Sequence, residues 1–90
     1  MQENHKIRPY STNNTAEASY LTINGMTLQN IDTESDPASF VFKAKATEEN
    51  IKLTELIMAW DTGYANGNCH AFYHTYKSYI RKIMTSKQSR

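Results

Sequence analysis

The apolar residues of this chain follow two different periods, and the change between them marks its elements. From Asn68 to Lys87, Cys69, Phe72, Tyr73, Tyr76, Ile80 and Ile83 recur at helical spacing, which predicts one long amphipathic helix. Asn68 suits its N-cap, because a short side-chain oxygen can accept an orphan N–H of the first turn. Upstream, Thr47-Glu48-Glu49 opens a second helix, the hydroxyl capping it and the two acids meeting the positive end of its dipole. Leu53, Leu56, Ile57 and Trp60 form its core stripe, with Ile51 and Met58 nearly opposite. Gly63 ends this helix, and Ala65-Asn66-Gly67 turns the chain into the next. A third helix, of about ten residues, follows the cap signal Asn14-Thr15-Ala16-Glu17 and stops at Asn24-Gly25. Its apolar residues, Ala18, Tyr20, Leu21 and Ile23, are few, so it can stand only by packing on something larger.

Elsewhere the period is two. Met26 to Gln29 alternates, and Phe40 to Ala44 does so more strongly, with Asp32-Thr-Glu-Ser-Asp-Pro37 as a polar turn between them. This predicts a β-hairpin with a long tip, Phe40 and Phe42 facing the helices and Val41 the other side. Tyr10 to Thr12 reads as a short extended segment. The expected fold is α+β: a short helix, a hairpin, then two helices packed on one face of a small antiparallel sheet. One domain should cover 10–85, between a flexible arm at 1–9 and a frayed tail at 86–90. Phe42, Leu56, Trp60, Phe72, Tyr76 and Ile80 are expected to share one buried cluster.

At 90 residues the chain has room for a single core. Its one cysteine excludes an internal disulfide, and its place on the apolar stripe predicts a buried thiol in a reducing compartment. No apolar run approaches the roughly 18–20 residues that span a bilayer, and residues 1–9 lack the apolar core of a signal peptide. The expected location is the cytoplasm, with no membrane partner. The net charge of +1 conceals a division. Residues 1–67 carry five Lys and Arg against nine acids, whereas residues 68–90 carry five Lys and Arg and no acid. Cations near a helix C-terminus are favoured by the macrodipole, but a one-signed cluster can also steer a partner.

The residues offer little reaction chemistry. His70 and His74 stand four apart, close enough to share a metal, yet Cys69 points about 100° away on a helix. The HExxH pattern is missing because Ala71 follows His70. No closed zinc site, catalytic dyad or glycine-rich phosphate loop is predicted, and no cofactor. The expectation is a protein that is not an enzyme. The richer pattern is a strip on the last helix: His70, His74, Lys77 and Arg81 at i, i+4, i+7 and i+11, flanked by Tyr73. Lysine offers an anion a point charge, arginine a two-pronged grip, and imidazoles add charge on mild acidification. These five residues are the candidate binding site, against the plainer reading of a solvated face. Ile51 and Met58 are the candidate contact of a homodimer.

Several features together resemble a family of small prokaryotic domains of unknown function, also met in viral and mobile-element genomes. They are the Tyr-x-Thr start at Tyr10-Ser11-Thr12, the short helix with Glu-Ala-Ser-Tyr-Leu, and the strand Phe40-Val41-Phe42. Trp60-x-x-Gly63-x-Ala65 and a closing helix with an early Phe72 complete the pattern. The resemblance covers about residues 10–84. It implies the fold and a prokaryotic or phage setting, but no activity and no functional residue. The leading expectation is a non-catalytic protein that occupies a host protein or ribonucleoprotein complex, for example by inhibiting a nucleic-acid-targeting defence complex. The alternatives are direct DNA or RNA binding through the basic final helix, or an oligomer that sequesters a nucleotide.

Overall fold

The computed structural model describes residues 9–44 and 46–88, the last two by their backbone alone. The expected arm therefore lies outside the described residues save for Pro9, as do the last two residues of the expected tail. The elements run β1 (Tyr10–Thr12), α1 (Thr15–Ile23), β2 (Leu28–Asp32), β3 (Ser39–Phe42), α2 (Thr47–Thr62) and α3 (Cys69–Gln88). This is the α+β fold read from the sequence. The extended segment Tyr10–Thr12 proves to be a strand, so the sheet has three strands in the order β1-β3-β2, all pairs antiparallel.

β3 is central and carries the two phenylalanines. Alternation sends Phe40 and Phe42 to the helix side, where both are fully buried, and leaves Val41 half-buried on the other face. The expected strand at Met26–Gln29 starts two residues later. Met26 is instead buried in the turn after α1. Register breaks between Leu28, opposite Phe42, and Asn30, opposite Val41, a bulge that shifts the pairing part of the strand toward Asp32.

α1 is the most enclosed helix. Its five consecutive residues from Glu17 to Leu21 are buried, which on a helix means every side is covered. Ala18 and Ser19 are fully enclosed, and the Ser19 hydroxyl donates to the Thr15 carbonyl at 2.8 Å. Asn14 caps α1 as predicted, its Oδ1 accepting from the N–H groups of Ala16 and Glu17 at 2.9 and 3.1 Å. Asn68 does the same for α3, accepting from Ala71 N–H at 2.8 Å. Thr47 does not cap α2. Ala46 occupies the N-cap with no side-chain bond, and Glu48 and Glu49 in the first turn meet the helix dipole instead. Gly63 ends α2 with φ of 84°, a left-handed conformation that suits glycine.

The stripe of α3 is turned from its expected position. Phe72, Thr75, Tyr79 and Ile83 face the protein, with Tyr79 buried. Tyr76, expected in the core, is 36% exposed. Ile80, also expected there, is half-buried on the flank. Cys69, expected as a buried thiol, is exposed. The reason lies in α1 and β3. Tyr79 packs its ring on Phe40 at 5.2 Å and shares a 2.6 Å hydrogen bond with the Thr22 hydroxyl, so its polar end is satisfied inside. Phe42 is buried as expected, while Leu56, Trp60 and Phe72 are partly buried against the same core. Trp60 meets Tyr20 at 5.4 Å. Ser86 remains within α3, its hydroxyl 3.1 Å from that of Thr33 in the hairpin.

Candidate functional site

Turning the buried stripe of α3 onto Tyr79 fixes what lies opposite. With 100° per residue, His70, Tyr73, His74, Lys77 and Arg81 lie about 120–220° around the helix from Tyr79. All five are exposed. Tyr73 belongs to the outward face alone, at 58% exposure, and takes no part in the core stripe. α3 is twenty residues long, so a strip over about three of its turns spans roughly 17 Å.

The structure brings four of these residues into mutual contact. The rings of His70 and His74 lie 4.5 Å apart at 75°, and His74 meets the edge of Tyr73 at 6.4 Å. The Lys77 ammonium sits 5.4 Å above the Tyr73 ring centre, a separation at which the ring quadrupole attracts a cation. Arg81 stands one turn further on. It borders a shallow surface depression of about 450 Å³ formed with Tyr76, Lys77, Ile80, Met84 and Thr85. Met84 is 55% exposed, so an apolar flank of Tyr76, Ile80 and Met84 runs beside the cations. Among the described residues, no hydrogen bond or ion pair engages the side chains of His70, His74, Lys77 or Arg81.

The candidate interface residues also point outward. Ile51 and Met58 are 53% and 61% exposed on the side of α2 opposite Leu53, in company with Glu48 and Glu55. They lie on another helix from the strip and are not brought to it.

Two features escaped the sequence. The first is a closed polar cluster between β1 and α1. Glu17 is only 5% exposed, and its two carboxylate oxygens accept from the Tyr10 and Thr12 hydroxyls, each at 2.7 Å. Thr12 also accepts from Asn14 N–H at 3.1 Å. Burial, then the bonded Glu17 carboxylate and the charge of Asp61, push the Tyr10 hydroxyl well above the ordinary tyrosine range. Burial raises Tyr20 as well. Glu17 lies in the first turn of α1, where the helix dipole favours a negative charge. A signal was present, since strand alternation puts Tyr10 and Thr12 on one face with an acid shortly after.

The second is an aromatic groove of about 240 Å³ where the α2–α3 connection crosses α1, lined by Tyr20, Ile23, Trp60, Ala65, Gly67 and Phe72. The connection lies so close to α1 that a Cβ on Gly67 would stand 2.8 Å from Ile23 Cδ1. No sequence pattern announces this groove, because it joins residues from three separate segments.

Fold and site together define a small α+β protein whose longest helix buries one aromatic face and exposes a basic and aromatic one. Among the described residues no helix is long and apolar enough to cross a membrane. The chain finds no match among known family models, curated proteins or solved structures.

Proposed function

We propose that this is a non-catalytic binding protein that engages an anionic partner through the outward face of α3 and acts by occupying it. In the prokaryotic or phage setting suggested by the resemblance, the partner is a host protein or ribonucleoprotein surface, such as a nucleic-acid-targeting defence complex in the cytoplasm. The observation that carries this reading is the unanswered charge of the strip. His70, His74, Lys77 and Arg81 share one exposed face, and no carboxylate among the described residues pairs with them. Exposed cations beside apolar surface meet an acidic partner with both steering and contact area.

Capture from a bacterial lysate on the immobilised protein, with and without nuclease, tests it. A partner held by wild type and lost from K77E/R81E is expected. Equal capture by both proteins contradicts the proposal. Lys77 above Tyr73 also supports a second reading, direct binding of single-stranded nucleic acid, with the ring stacking on a base and the ammonium on phosphate. A salt-dependent gel shift with purified protein alone separates the two. Ile51 and Met58 are proposed as the contact of a homodimer, and a strict monomer at high concentration in sedimentation would remove that proposal.

A further inference from the structure

We propose that His70 and His74 form a two-point chelate for a divalent metal ion that favours nitrogen ligands, namely Ni²⁺, Cu²⁺ or Zn²⁺. Their geometry carries the proposal. Metal–imidazole bonds are about 2.0–2.1 Å long, and the ring centre lies roughly 1.1 Å behind the nitrogen. Two imidazoles on one ion therefore hold their centres roughly 4.5 Å apart at a right-angled bite and roughly 5.2 Å apart at a tetrahedral one. The observed separation is 4.5 Å. The right-angled bite belongs to the tetragonal and octahedral ions, the tetrahedral one to zinc, and the two exposed rings, which now meet edge-on at 75°, reach either by rotating about their side-chain bonds.

The backbone keeps the pair in place. Both histidines stand in the first two turns of α3, which the Asn68 cap on Ala71 N–H holds against fraying. The site is open. Among the described residues no group of three His, Cys, Asp or Glu side chains could surround an ion, and Cys69 leaves the helix about 100° away from His70. Water, or a donor from a bound partner, takes the remaining positions, so the ion is exchangeable. Of the nearby cations, Lys77 is drawn aside over Tyr73, Arg81 lies further along the helix, and solvent screens both.

The proposal stands apart from the partner reading and adds to it, since an ion on the pair puts two further positive charges on the strip. The full chain, without any affinity tag, is titrated with NiCl₂ and ZnCl₂, and with MgCl₂ as a control. Zinc binding is followed by the NMR signals of the histidine rings. Saturable binding of one Zn²⁺ or Ni²⁺ is expected, with the signals of His70 and His74 moving and those of His5 still. His70→Ala and His74→Ala should each weaken binding by roughly tenfold or more, since a ligand is worth at least what a second-shell partner is. Mg²⁺, which prefers oxygen ligands, should not bind. Cys69→Ser and His5→Ala should leave the affinity unchanged. Affinities within about twofold of wild type in both histidine variants, or binding that follows His5 or Cys69, would overturn the proposal. K77E/R81E separates the two readings, because it should lose the partner and keep the ion.

Discussion

The two polar clusters of this protein are opposites. Around Glu17 each carboxylate oxygen has a hydroxyl donor and the group is nearly closed to water. Along α3, His70, His74, Lys77 and Arg81 face water with no carboxylate to answer them among the described residues. Buried polar groups survive only if paired inside the fold, so the first cluster is committed to structure. It ties β1, an edge strand of three residues, to the start of the most enclosed helix. The second cluster is tied into the fold by no such bond among the described residues, and in the proposed function its charge meets a partner. Chemical composition alone does not divide these roles. Satisfaction does.

A large effect is expected from breaking the closed cluster. Glu17→Ala strands the Tyr10 and Thr12 hydroxyls and should cost about 3 kcal/mol in a denaturant melt, a large share of the stability of a small domain. A loss below about 1 kcal/mol would show that the cluster is incidental. The same cluster predicts an alkaline limb. Tyr10 holds its proton more tightly when folded, because burial and Glu17 raise it. Below about pH 10 both states are protonated and its contribution is fully present. Above that the unfolded chain releases the proton first, so stability falls as pH rises. Tyr10→Phe should be less stable at neutral pH but show a shallower alkaline fall, with Tyr20 supplying the remainder. Melts at neutral pH and at about pH 10–11 check both points.

A sharper contrast lies within α3. Tyr79→Ala should cost about 3–5 kcal/mol by opening a cavity beside Phe40, whereas Tyr76→Ala, three residues away at the exposed edge, should cost under about 1 kcal/mol. Tyr79→Phe removes only the bond to Thr22, worth about 1 kcal/mol. Equal losses for Tyr76→Ala and Tyr79→Ala would mean that the buried stripe had been misplaced.

Local signals carried much of this fold. Asn14 and Asn68 cap the helices where short polar side chains precede apolar periods, and Gly63 ends α2 as a left-handed glycine should. Phe40 and Phe42 announced their face by alternation. The misses are long-range. Hydrophobicity alone weighs Cys69, Tyr73 and Tyr76 into the core stripe, but Tyr79 is chosen by a hydroxyl 57 residues away in the sequence. β1 pairs with β3 across the whole of α1 and β2, and three residues are too short for a pattern to declare a strand. Of the candidate site, the exposed strip was legible because helical spacing sets it. The Lys77–Tyr73 and His70–His74 contacts needed side-chain positions. The Glu17 cluster needed the strand.

The central claim is that structure and binding reside in different clusters, and one paired measurement tests it: melting temperature and partner capture, for K77E/R81E and for Glu17→Gln side by side. The charge reversal should leave the melt nearly unchanged and weaken capture by roughly tenfold or more. Glu17→Gln should lower the melt, and below its transition it should capture the partner as wild type does. A charge-reversed protein that stays folded and binds as well as wild type would contradict the account.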